Sequence, residues 1–155
     1  MRFLLAIAIA LLLVGAGCSQ RTSESANDRK TQVFSSYLQE ELSLSIPNQE
    51  HYYLIVHKVG CQGVIESALM DLNHDFMEEK NIAVITSNRQ LVDKYFSDEK
   101  VKIYYDRTID VINLPLYNVS LIKTSKKQVS YILSERKCSI DFGEVIKDSL
   151  TNGLP

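Results

Sequence analysis

"YYLIVHKVGCQGVIESAL", residues 52–69, decides the fold. Leu54, Ile55 and Val56 are contiguous, the pattern of a strand covered on both faces of a sheet. From Val64 the period changes: Val64, Ile65, Ala68, Leu69, Leu72 and Phe76 share one helical face, while Glu66, Asp71 and Glu78 fall elsewhere. "IAVITS", residues 82–87, then repeats the buried-strand pattern. A strand, a helix and a second strand make a βαβ unit, whose strands are parallel and whose crossover is right-handed. Cys61 stands at the turn from strand to helix.

Outward from this unit the signals continue. Val33, Phe34, Tyr37, Leu38 and Leu42 recur at helical spacing, and Pro47 with Asn48 closes that segment. Leu91, Val92, Tyr95 and Phe96 mark a short helix, and "VKIYYD", residues 101–106, alternates as a strand that is polar on one side. Residues 119–124 and 129–133 flank a turn at 125–127 and predict a β-hairpin, whose basic cluster from Lys123 to Lys127 reads as a solvated turn. Asp141 with Glu144 predicts a capping box, and Ile140 with Val145 a hydrophobic staple around it. The last helix should bury Phe142, Val145, Ile146 and Leu150 and end at Gly153. The expected order is α-β-α-β-α-β-β-β-α, an α/β protein.

Composition sets the bounds. The chain has 155 residues, 45% apolar and 23% charged, which suits one globular domain with an appendage. With 17 Lys and Arg against 19 Asp and Glu, the formal net charge of −2 provides no footprint for nucleic acid. The N-terminus reads as an export signal: Arg2 is the positive n-region, Phe3 to Val14 the apolar h-region, and Gly15, Ala16 and Gly17 the small residues before Cys18. That stretch is shorter than the ~20 residues a bilayer-spanning helix needs. "VGAGC" resembles the lipobox of bacterial lipoproteins, with Gly15 where a branched apolar residue is usual. The resemblance implies a signal peptide over 1–17 and a lipidated Cys18 as the mature N-terminus. It places the protein in a bacterial cell envelope, held to a membrane on the periplasmic side or cell surface through acyl chains. The polar run "SQRTSESANDRK" up to residue 30 reads as a flexible, disordered tether, and the folded domain as 31–155.

A βαβ unit, a hairpin and a last helix, with a cysteine at the first strand-to-helix turn, resemble the thioredoxin fold, and the additional elements before the hairpin resemble the longer periplasmic thioredoxin-like proteins. The resemblance implies a three-layer α/β/α domain with a central mixed sheet, and thiol–disulfide exchange with another envelope protein's thiol or disulfide. The family's Cys-x-x-Cys stands here as Cys61, Gln62, Gly63, Val64, so the attacking position is kept and the resolving position is lost. The family's cis-proline should fall near Asn118 or Val119, and neither is proline; Pro115 lies several residues earlier.

A cysteine at a helix N-terminus faces unpaired N–H groups and the positive end of the helix dipole, both of which favour a thiolate, with Lys58 and His57 as further sources of positive potential. One thiolate suffices to attack a disulfide, but releasing the mixed disulfide needs a second thiol. The resemblance brings Cys138, after the last strand, to the same sheet edge as Cys61, as a resolving or disulfide partner. Two alternatives stay open: Cys61 is a small apolar filler and Cys138 a buried thiol, in which case the domain is a redox-inactive binding module of an envelope lipoprotein. His51, His57, His74 and Cys61 lack metal-ligand spacing, so no metal is expected. Neither a phosphate loop, a Gly-x-Ser-x-Gly elbow nor a catalytic triad is legible, and no cofactor is expected.

Overall fold

Five strands form one mixed sheet, and the computed structural model describes residues 18–96, 101–134 and 141–153. Helix α1 (Cys18–Leu42) leads into β1 (His51–Val56), α2 (Gln62–Asp71), α3 (His74–Glu79), β2 (Ile82–Thr86), the single turn α4 (Arg89–Val92) and β3 (Ile103–Tyr105). A 3-10 turn (Thr108–Val111), the hairpin β4 (Val119–Ser125) and β5 (Gln128–Ser134), and α5 (Phe142–Asn152) complete the described elements. The strand order is β3-β2-β1-β4-β5. β1 pairs in parallel with β2 and antiparallel with β4, so Leu54 lies between Val84 and Leu121. β3 is parallel to β2, and β5 antiparallel to β4. The expected βαβ unit and hairpin are both present.

The contiguous apolar run of β1 has the reason the sequence suggested: each face of the sheet carries its own core. Leu54 and Val56 point to one side, where Val64, Ile65, Ala68 and Leu69 of α2 meet Phe142 and Ile146 of α5. Tyr53 and Ile55 point to the other, against Phe34 and Leu38 of α1. Helices therefore cover both faces of the sheet, in three layers.

Several local expectations give way. The predicted helix through Phe76 breaks after Asp71, because the Asn73 side chain accepts the Phe76 N–H at 3.2 Å and starts α3 anew. The third strand is shorter than "VKIYYD", at Ile103–Tyr105. Residues 18–30, read as a disordered tether, belong to α1. The physical reason is propagation: the turn from Phe34 to Leu38 is fixed by burial, and extending a helix from a fixed turn costs far less than nucleating one. Thr31 Oγ1 also accepts the Val129 N–H at 2.9 Å, tying α1 to β5. At α5 the capping box does not form, since the Asp141 side chain makes no cap hydrogen bond and Glu144 pairs with Lys147 at 3.8 Å. Val145 is 43% exposed rather than buried, while Phe142 and Ile146 are buried and Gly153 ends the helix at φ 89° as expected. The signal peptide over 1–17, Cys138 and Ile140 lie outside the described residues, and of Cys18 only the backbone is described.

Candidate functional site

The C-terminal ends of β1 and β2 and the start of α2 meet at one edge of the sheet, and Cys61 is there. It is the N-cap of α2, with φ −73° and ψ 98°, and its carbonyl accepts the N–H groups of Val64 and Ile65 at 2.9 and 3.1 Å. Its side chain is half-buried and makes no cap hydrogen bond; its sulfur is disulfide-bonded. The side chains of the other two cysteines, Cys18 and Cys138, are not among those described. Val64, at the position of a resolving cysteine, is 4% exposed and belongs to the core.

Asn118 organises the loop around Cys61. Its side-chain Oδ1 accepts the Cys61 N–H at 3.0 Å and its carbonyl accepts the His57 N–H at 2.9 Å, so one residue holds both ends of the 57–61 loop. Gly60 approaches it so closely that a Cβ there would sit 2.3 Å from Oδ1. Asn118 adopts φ 40°, a left-handed conformation that asparagine tolerates better than most residues. A polar knot keeps it there: Ser120 Oγ lies 2.6 Å from Ser134 Oγ and donates to the Tyr117 carbonyl, and the Tyr117 N–H reaches both hydroxyls at 3.0 Å. Asn118 therefore stands immediately before β4, where the resemblance implies a cis-proline; there is no cis peptide bond among the described residues.

His57, one residue past β1, is 7% exposed. Its Nδ1 is 2.9 Å from Asp110 Oδ1 on the 3-10 turn. A carboxylate only accepts, so Nδ1 carries the proton and Nε2 of the neutral ring is an acceptor. That Nε2 is buried and has no hydrogen-bond partner, a condition that costs about 1–3 kcal/mol. The 3-10 turn is itself fixed by Asp106, which accepts from Thr108 Oγ1 at 2.5 Å and Tyr37 Oη at 3.0 Å. Burial pushes the Asp106 carboxyl up, but hydrogen bonds from Thr108, Tyr37 and Ile109 outweigh that and hold it below its ordinary range. Burial, then Asp106, push the Tyr37 hydroxyl far up, so it stays a donor. Thr86, fully buried, donates to the Val56 carbonyl at 2.9 Å, and Ser87 Oγ accepts the Lys58 N–H at 3.0 Å, locking the ends of β1 and β2 together.

Two clefts flank the Cys61 loop. One, of about 270 Å³, is lined by His57, Val59, Asp110, Leu116, Tyr117 and Asn118. The other, of about 260 Å³, runs along Lys58, Gly60, Gln62, Asn88 and Lys94. Val59, which lines the first, is 80% exposed, unusual for a large apolar residue.

The sequence-predicted residues are thus partly gathered. His57, Lys58 and Cys61 share one loop. His51 is at the far end of β1, its ring 4.6 Å from that of Tyr53, and the His74 side chain is not described. Among the described residues no group of three or more His, Cys, Asp or Glu could hold a metal ion, and no helix is long and apolar enough to cross a membrane. Asp110 and the Ser120–Ser134 knot had no signal in sequence, because their partners are distant along the chain. Asn118 had one, as an asparagine directly ahead of a strand. Comparison with known proteins finds no family model, no curated protein and no solved structure that matches this chain.

Proposed function

We propose that this protein is a lipid-anchored, thioredoxin-like protein of the bacterial envelope that carries out thiol–disulfide exchange through Cys61. The observation that carries the reading is the place of Cys61: a disulfide-bonded cysteine at the N-cap of the helix that follows the central parallel strand. A sulfur leaving from that position is favoured by the helix N-terminus, which stabilises the thiolate. Cys138 is the partner in this reading. Cys18 is committed to the lipid, and the described chain on either side of the 135–140 segment returns to the same half of the domain, with Ser134 paired to Ser120 and α5 packed on α2. The anchor follows from "VGAGC" alone: Cys18→Ala should release the protein from the membrane fraction while leaving its unfolding unchanged.

A second reading, a redox-inactive binding module stapled by a permanent disulfide, is favoured by Val64, which puts a buried apolar side chain, without a thiol, at the resolving position one turn into the helix. Trapping with an alkylating agent in intact cells separates the two. For exchange, Cys138→Ser accumulates mixed disulfides that disappear in the double variant Cys61→Ser/Cys138→Ser. A staple yields none in either.

A further inference from the structure

We propose that His57, aligned by Asp110, accepts the proton of an aliphatic thiol that enters the cleft beside it and attacks the Cys61 disulfide. The inference rests on the exchange reading above and adds a catalytic residue to it.

Three observations carry it. The imidazole is oriented, with Nδ1 held 2.9 Å from the Asp110 carboxylate, so that in the neutral ring the lone pair is on Nε2. That lone pair has no partner although the side chain is 9% exposed, and a carboxylate-oriented histidine with a free Nε2 is the arrangement of a general base. His57 is also one of the residues that line a cleft of about 270 Å³ next to the Cys61 loop, since Asn118, which lines the same cleft, holds the backbone N–H groups of both His57 and Cys61. The cleft selects the class of ligand. Nε2 is closed to bulk solvent and needs a hydrogen-bond donor that presses in from the cleft, while Val59 and Leu116 suit an aliphatic stem. A neutral thiol on a short carbon chain, from a small molecule or a cysteine side chain, meets both conditions.

The step balances without a further reagent. The thiol S–H bond breaks and its proton passes to Nε2, where the Asp110 carboxylate stabilises the imidazolium. The freed sulfur electron pair forms a new S–S bond to one sulfur of the Cys61 disulfide, whose original bond breaks, and its pair departs on the other sulfur. The entering thiol is oxidised to a mixed disulfide and the departing cysteine is reduced. The proton on His57 is then available to the departing thiolate.

The test compares two probes on the oxidised full-length protein. 2-Mercaptoethanol is protonated at pH 7 and must lose its proton, whereas tris(2-carboxyethyl)phosphine opens a disulfide through phosphorus and has no thiol proton to lose. His57→Asn keeps a side-chain N–H toward Asp110 and lacks Nε2. It should slow disulfide opening by 2-mercaptoethanol at least ~100-fold, the lower end of the general-base range, and leave opening by tris(2-carboxyethyl)phosphine within ~2-fold. Asp110→Asn, which keeps the ring, should show the same selectivity to a smaller degree and stands in if His57→Asn does not fold. Replacing 2-mercaptoethanol by a capped cysteine tripeptide distinguishes the source: a protein thiol should react faster than the small molecule, and a small-molecule thiol no faster. Equal slowing of both probes in the variants would make the pair structural and overturn the proposal, as would no slowing of either. A wild-type disulfide that neither probe opens would overturn the exchange reading itself.

Discussion

The two ends of the β1–β4 ladder use the same unfavourable backbone conformation for different purposes. At the hairpin tip, Lys126 and Lys127 both have positive φ, 52° and 61°, as a two-residue turn that follows the twist of its strands requires. Their N–H groups bond to the carbonyls of Asn48 and Pro47 at 2.9 and 3.2 Å, and their side chains are exposed. At the other end Asn118 has φ 40°, but its side chain and carbonyl are both bonded to the Cys61 loop, and close by the His57 Nε2 is left unmet. At the tip the left-handed residues make a turn. At the Cys61 end the left-handed residue holds a loop, and an unsatisfied polar group remains where the disulfide is. Strain alone does not mark the site; strain beside an unmet group and a cleft does.

The largest expected effect falls on the strand common to both ends. Leu54→Ala leaves a cavity between α2 and the sheet and should cost ~2–5 kcal/mol in denaturant unfolding, the scale against which either end is judged. Gly60→Ala comes next, because its Cβ would lie 2.3 Å from Asn118 Oδ1; a loss of about 1–3 kcal/mol is expected, with faster hydrogen exchange at the Cys61 amide. Asn118→Ala removes the acceptor for Cys61 and puts alanine in a left-handed conformation, for about 1–2 kcal/mol. The tip should respond in the opposite direction: Lys126→Asn with Lys127→Gly suits the turn and should gain about 0.5–1 kcal/mol. A tip variant that destabilised as much as Asn118→Ala would erase the distinction between the ends.

The smallest effect is a pH dependence near the tip. Hydrogen bonds from Tyr52 and then Lys123 hold the Glu50 carboxyl below its ordinary range, with Lys123 Nζ at 2.9 Å. A carboxyl depressed on folding stabilises fully above its unfolded pKa, and that contribution is lost as pH falls through the lower folded value. Acid unfolding curves of Glu50→Gln should therefore converge on the wild type at low pH and lie slightly below it at neutral pH.

How much of this was legible follows from the range of each interaction. The β1 strand, the α2 face and the hairpin were readable because their signals are local: contiguous Leu54, Ile55 and Val56, the spacing from Val64 to Leu72, and turn residues between two apolar runs. The break at Asn73 and the exposure of Val145 were not, since the first is one side-chain hydrogen bond and the second depends on how α5 rotates against α2. Helicity over 18–30 was missed because composition measures whether a segment can bury itself, not whether a neighbouring fixed turn can propagate into it. At the site, Cys61 was legible from its place between strand and helix. Its partners were not, because His57 and Asp110 are 53 positions apart in the chain and Cys61 and Asn118 are 57 apart.

The redox equilibrium of the Cys61 disulfide in the folded protein tests the central claim most directly. Equilibrated with glutathione buffers, quenched by alkylation and read by mass spectrometry of non-reduced peptides, the Cys61 disulfide should open and close reversibly, with a potential on the order of −270 to −120 mV, the span of known exchange proteins. A bond that stays closed in excess reductant until the domain unfolds, with a potential below about −300 mV, would be a structural staple and would contradict exchange through Cys61.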